Sequence, residues 1–96
     1  MQTNLIIVKE YCSKCEVEST FIEILYEEGL IDIIEEEQER FLLDSQLKDI
    51  ERYCRWYYDL SINVEGIDVI RHLLQRMQAL QAEVDLLQQK LHFLSS

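Results

Sequence analysis

Proline is missing from this 96-residue chain, and glycine occurs only twice. Proline breaks helices and glycine loosens them, so a chain nearly without either favours helices joined by short connections. Basic side chains are scarce as well: nine Lys and Arg stand against nineteen Asp and Glu, a formal net charge of −10. That sign repels phosphate-rich partners and suits a basic protein surface better. No apolar run approaches the ~18 residues of a membrane-spanning helix, so no membrane partner is expected. "MQTNLIIVKEYC", at the start, has neither the basic opening, the long apolar stretch nor the small-residue cleavage site of a secretion signal. Three cysteines, an odd number without such a signal, point to the reducing cytoplasm.

What is present is an ordinary folded composition, with 48% apolar residues, too many for a disordered acidic tail. The charge is uneven. Residues 1–42 hold eleven acidic and three basic side chains, a net of −8, whereas residues 43–96 hold eight and six, a net of −2. Within the first half, "YEEGLIDIIEEEQERF" (residues 26–41) sets seven carboxylates against one arginine.

The apolar spacing divides the chain into short elements. "NLIIV" forms either a first strand or the lead into a helix. A short helix over residues 8–15 puts Val8, Tyr11, Cys12 and Cys15 on one face. "EVEST" breaks it, with Val17 as a buried turn residue. A second helix over about residues 18–28 carries the stripe Phe21, Ile22, Leu25 and Tyr26, and Gly29 suits the left-handed position that ends it. Apolar runs at 30–34 and 41–43 around a polar centre read as a small hairpin of open turn type. Asp44 or Ser45 is the candidate N-cap of a third helix reaching about residue 58, whose core face is Leu47, Ile50, Tyr53, Cys54 and Tyr57.

The last helix, from near Val64 almost to the end, has the clearest periodicity. Ile70, Leu73, Met77, Leu80, Val84, Leu87, Leu91 and Leu94 alternate steps of three and four, the 3.5-residue repeat of a left-handed helix–helix seam. A helix of about 30 residues is roughly 45 Å long, more than so small a domain can cover. The stripe is therefore expected to join two copies in a homodimeric coiled coil. Residues 1–62 would form the compact domain and 63–96 the dimerisation helix.

Candidate chemistry is thin. Cys12 and Cys15 form a CxxC, but a structural zinc needs four ligands, and the two histidines, His72 and His92, lie twenty positions away from each other. A redox CxxC belongs after a strand in a βαβ unit, and no such pattern exists here. Paired i,i+3 cysteines on a helix face read as packing, as does Cys54 among aromatics. Glu35, Glu36, Glu37 and Glu39 fall in an exposed turn, with no sign of a pocket to shift their pKa. No phosphate-binding glycine loop and no nucleophile–base pair can be assembled. An enzyme is not expected, and neither a cofactor nor a metal is called for. "RYCRWYY" (residues 52–58) mixes arginine and aromatics as single-strand binders do, but Tyr53 and Tyr57 share the face of Ile50, and packing is the simpler role. Trp56, if exposed, would suit a protein partner.

The order short helix, turn, helix ending in Gly-Leu, hairpin, helix and long coiled-coil helix resembles the winged helix-turn-helix of the MerR superfamily. Glu16-Val17 falls at that family's turn, Gly29-Leu30 matches the end of its R-Y-Y-x-R-x-G-L segment, and Arg40 is similar to the arginine after its wing. The resemblance implies a mainly α, MerR-like fold with a β-hairpin wing. It also places Glu23 and Glu27 where the family has helix arginines, and "EEEQER" where its DNA-binding members carry a basic or neutral wing. Each change turns phosphate attraction into repulsion, so nucleic acid is not the expected partner. "GIDVIRHLLQRMQALQAEVDLLQQKL" (residues 66–91) is further similar to the C-terminal segment of the chaperone-modulator (CbpM) family, with its G-I-x-V start and the L-L-x-Q-x-L formed by Leu86, Leu87, Gln89 and Leu91. That likeness implies a partner, the J-domain of a CbpA/DnaJ-type co-chaperone, and inhibition of its work with Hsp70. The alternative it leaves is a MerR-like transcriptional regulator that binds DNA as a dimer. On charge alone, Glu23, Glu27, Glu35, Glu36 and Glu37 are the candidate partner contacts.

Overall fold

The first helix, α1 (Val8–Cys15), ends at Glu16 in a left-handed conformation, φ 55°. The N–H groups of Glu16 and Val17 both return to the Cys12 carbonyl, the latter at 3.0 Å, so the chain reverses within one turn. Val17 is buried beneath that turn, as its position in the sequence suggests. This computed structural model describes residues 4–95. The second helix, α2 (Ser19–Glu27), buries Phe21, Ile22 and Leu25, but Tyr26 falls outside the stripe and is exposed. At its end Gly29 has φ 76°, its N–H bonds the Tyr26 carbonyl at 3.0 Å, and the Leu30 N–H bonds the Leu25 carbonyl at 2.9 Å. Those two bonds define a Schellman cap, which favours glycine because a Cβ is strained at that φ.

The apolar residues after the cap do not begin a strand. Leu30 and Ile31 are buried as a plug at the end of α2, and the wing starts only at Ile34. Strands β2 (Ile34–Glu36) and β3 (Glu39–Leu43) form the hairpin, with Glu37 and Gln38 between them at φ 49° and 66°. Positive φ at both central residues is the requirement of a type I′ turn, normally met by Asn-Gly. The open reading of the first apolar run resolves as a strand, β1 (Leu5–Ile7). β1 pairs antiparallel with β3, Ile6 opposite Leu42, so the expected hairpin is a three-stranded sheet in the order β1-β3-β2. Leu42, on the central strand, is fully buried.

Neither Asp44 nor Ser45 caps the third helix with its side chain. Asp44–Gln46 is a single 3₁₀ turn, and the Asp44 N–H bonds the Asn4 carbonyl at 3.0 Å. The Gln46 amide instead makes a two-point pair with the Asp32 backbone, at 2.7 and 3.1 Å, and ties the plug segment to this turn. Helix α3 (Leu47–Cys54) runs on as a π-helical turn (Arg55–Asp59), a wide turn that rotates the aromatics of residues 56–58 relative to the α-helical face. Tyr57 stacks on Phe21 at 4.3 Å and Tyr58 meets the same ring edge-on at 5.5 Å. Trp56 is half-buried beside Tyr53. The aromatics of this cluster thus pack, with Tyr53 in the core beside Ile50, while Arg52 and Arg55 stay exposed.

Helix α4 (Val64–Ser95) begins at Asn63, whose Oδ1 accepts the Gly66 N–H at 2.8 Å. Val64 and Ile67 bury against the domain, and Arg71 and Leu74 continue that stripe. The 3.5-residue seam is a different stripe. From Leu73 onward its members are exposed, from 45% at Val84 to 81% at Leu94, with Ile70 alone half-covered. Packing of the seam within its own chain is therefore ruled out, and α4 carries the molecule to 59 Å along its longest axis.

Candidate functional site

The acidic residues picked from the sequence come from α2 and the wing, which an ion pair joins. Glu23, on α2, faces the wing and binds Arg40 of β3 through both guanidinium nitrogens, Nη2 to Oε1 at 3.2 Å and Nη1 to Oε2. The Arg40 guanidinium also lies 5.9 Å over the Tyr26 ring and sits cross-strand from Glu35. Its hydrogen bond to Glu23 pushes the Arg40 pKa above its usual value, helped by the charges of Glu23 and Glu35 against the opposing effect of burial. The one cation of residues 26–41 is thus paired and neutralised at the half-exposed surface.

Glu27, Glu28, Glu35, Glu36 and Glu37 are exposed. Glu36 stands directly opposite Glu39 in the hairpin, a like-charge pair next to a turn already held at positive φ. Like charges opposite one another destabilise a sheet, so local stability alone does not explain this tip. Between α2 and the wing runs a groove of about 470 Å³, lined by Thr20, Glu23, Gln38, Glu39 and Arg40 with Lys9 at its α1 side. The arrangement offers exposed carboxylates to a basic surface, with a groove able to take a side chain from it.

The five candidate contacts are not equivalent: Glu35 lies cross-strand from Arg40, the partner of Glu23, whereas the adjacent Glu36 points to the opposite face of the sheet. Glu27, Glu35, Glu36 and Glu37 are solvated, whereas Glu23 already has a basic partner in its own chain. Sequence reasoning missed that pair. Its only signal was that Arg40 is the lone base in an acidic stretch, which says nothing about a partner on another element.

Cys15 and Cys54 lie together, from α1 and α3, beside Val17 and Tyr58. Cys12 and Cys54 pack against the core and Cys15 is exposed. Burial, with the neighbouring Cys15 and Cys12 adding to it, pushes the Cys54 thiol up to about 11, and burial raises Cys12 too. A reactive thiol needs the opposite shift.

A three-stranded wing beside a helix-turn-helix, followed by a long helix, defines the winged helix-turn-helix class. The family model described as MerR HTH family regulatory protein matches residues 6–89, and the chain belongs to that family. Comparison with curated proteins and with solved structures gave no significant match. Among the described residues no helix is long and apolar enough to cross a membrane.

Proposed function

We propose that this member of the MerR family is a non-enzymatic chaperone modulator, which binds the J-domain of a CbpA/DnaJ-type co-chaperone and inhibits its work with Hsp70. The observation that carries the reading is the acidic α2–wing surface with its only arginine neutralised by Glu23. Phosphate contacts supply much of the affinity of DNA-binding modules, and this surface repels phosphate. The same surface steers a basic helix inward, and the CbpM-like segment at residues 66–91 supports a J-domain as the source of that helix. Covering the helix would exclude Hsp70 from it. Calorimetric titration with the host's CbpA-type J-domain at two salt concentrations tests the proposal. Saturable binding that weakens as salt rises is expected, with loss when Glu23 and Glu27 are both changed to Arg. Absence of heat and of a complex at micromolar concentration would sink it. The rival reading, a transcriptional regulator, rests on the family description, and salt-sensitive retention of DNA would favour it.

The same proposal includes assembly through α4 into a homodimer. Exposed leucines at every seam position from Leu73 to Leu94, bar Met77 and Val84, support a second copy as the cover. Substitution of Leu80 and Leu87 by Asp is expected to halve the molar mass seen by light scattering, and an unchanged mass would refute the seam.

A further inference from the structure

We propose that the cavity between the π turn and the base of α4 binds a small organic carboxylate with a planar, apolar body. The cavity encloses about 220 Å³ and is lined on the α3 side by Arg52, Tyr53 and Trp56 and on the α4 side by Arg71, Leu74 and Gln75. At about 30 Å³ per water that is room for roughly seven waters, the size of a small ring with a carboxylate attached. Two guanidiniums converge here in a chain whose formal net charge is −10 and which has only nine Lys and Arg. Like charges gathered on one cavity repel each other unless an anion joins them.

Their partners within the chain are incomplete. Arg71 offers Nη2 to Asp68 at 3.5 Å, a loose contact, and its Nε–H is buried without an acceptor. A buried donor left unmade costs its full desolvation, and native structures rarely tolerate one. Among the described residues Arg52 forms no ion pair. Asp49 also lines the cavity and, with the loosely held Asp68, partly offsets the two cations, while the Arg71 Nε–H stays without an acceptor. A guanidinium edge offering parallel N–H groups fits a carboxylate in two-point fashion. The Trp56 indole and the Leu74 side chain supply the apolar wall on which a flat ring would rest. Burial raises the Tyr53 pKa, so its hydroxyl stays protonated near neutral pH and can donate as well. A protein side chain is a poorer occupant. The space is small, and on α4 it belongs to the stripe of Arg71 and Leu74, off the exposed seam that begins at Leu73, so helix pairing leaves it open.

Trp56 is the chain's single tryptophan, so its fluorescence reports directly on the cavity. The full chain is titrated with benzoate, and in parallel with benzyl alcohol and with inorganic phosphate. Expected is a saturable change with benzoate at millimolar concentration or below, about tenfold tighter than with either control. Arg71→Gln should weaken benzoate about tenfold and Arg52→Gln several-fold. Arg52 is exposed, so that variant decides the matter if Arg71→Gln fails to give native circular dichroism. Four results would each overturn the proposal: no saturable response to benzoate, an equal response to benzyl alcohol, saturation by phosphate alone, or benzoate binding untouched by the arginine substitution that folds.

Discussion

Arg40 of β3 and Glu23 of α2, seventeen positions apart in sequence, are joined by a two-point ion pair that fastens the wing to the second helix. The pair is half-exposed, so its contribution to stability is small, about 0.5–1 kcal/mol after solvent screening. Its larger effect is on charge. Arg40→Gln releases the Glu23 carboxylate to the surface, and affinity for a basic partner at low salt should rise roughly two- to fivefold. Calorimetry on the variant checks this, and weakened binding would show that Arg40 holds the wing in its binding pose.

The hairpin turn should be improvable. Glu37 and Gln38 both sit at positive φ, which suits Asn and Gly, and the carboxylate of Glu37 adds to a crowded tip. Replacing the two by Asn-Gly is expected to stabilise the fold by about 0.5–1 kcal/mol, a rise in Tm of roughly 2–6 °C. Thermal unfolding followed by circular dichroism measures it. If the J-domain reading holds, the same variant should bind more weakly through loss of Glu37.

Gly66 lies in the first turn of α4, where Ala would ordinarily help the helix by about 1 kcal/mol. Here the opposite is expected. A Cβ at Gly66 would stand 2.8 Å from Ile62 Cγ2 and 3.0 Å from the capping Asn63 Oδ1. Overpacking and a disturbed cap together outweigh the propensity gain, for a net loss of about 1–2 kcal/mol in urea unfolding. A stabilised Gly66→Ala protein would mean that the Ile62 methyl and the cap yield freely.

Stability should also fall on the alkaline side. The Cys54 thiol is held up to about 11 by burial, against an ordinary value of 9.0, so the folded state binds the proton more tightly than the unfolded chain. Its contribution is fully present below about 9 and is lost as pH rises toward 11. Cys54→Ala should flatten that part of a stability–pH profile. In the wild type at mildly alkaline pH, exposed Cys15 should be alkylated before Cys54.

Much of the architecture was legible because its signals are local. The spacing of Val8 and Tyr11, the buried Val17, the left-handed Gly29 and the start of α4 at Val64 each depend on a few neighbouring residues. Where pairing spans the chain, the local signal ran out. β1 has three residues, and only the register with β3 makes it a strand. Leu30 and Ile31 carry strand-like residues, yet the Schellman cap turns them into the core. Asp44 and Ser45 have capping chemistry, but Asp44 is drawn to the Asn4 carbonyl and the turn tightens to 3₁₀. The acidic surface was readable as charge, whereas the Glu23–Arg40 pair and the Arg52, Trp56 and Arg71 cavity bring together distant segments and needed the fold.

Helix α4 extends well past the last residue that its own domain shelters, since every described position from 75 to 95 is solvent-exposed. A single helix without tertiary support is only marginally stable in water. The outer turns should therefore lack a fixed folding free energy of their own and borrow it from whatever packs along them. If the cover is a second copy, amide-exchange protection beyond residue 75 will grow with protein concentration, while the winged domain's will not. How far the helix extends would then be a property of the solution as much as of the chain.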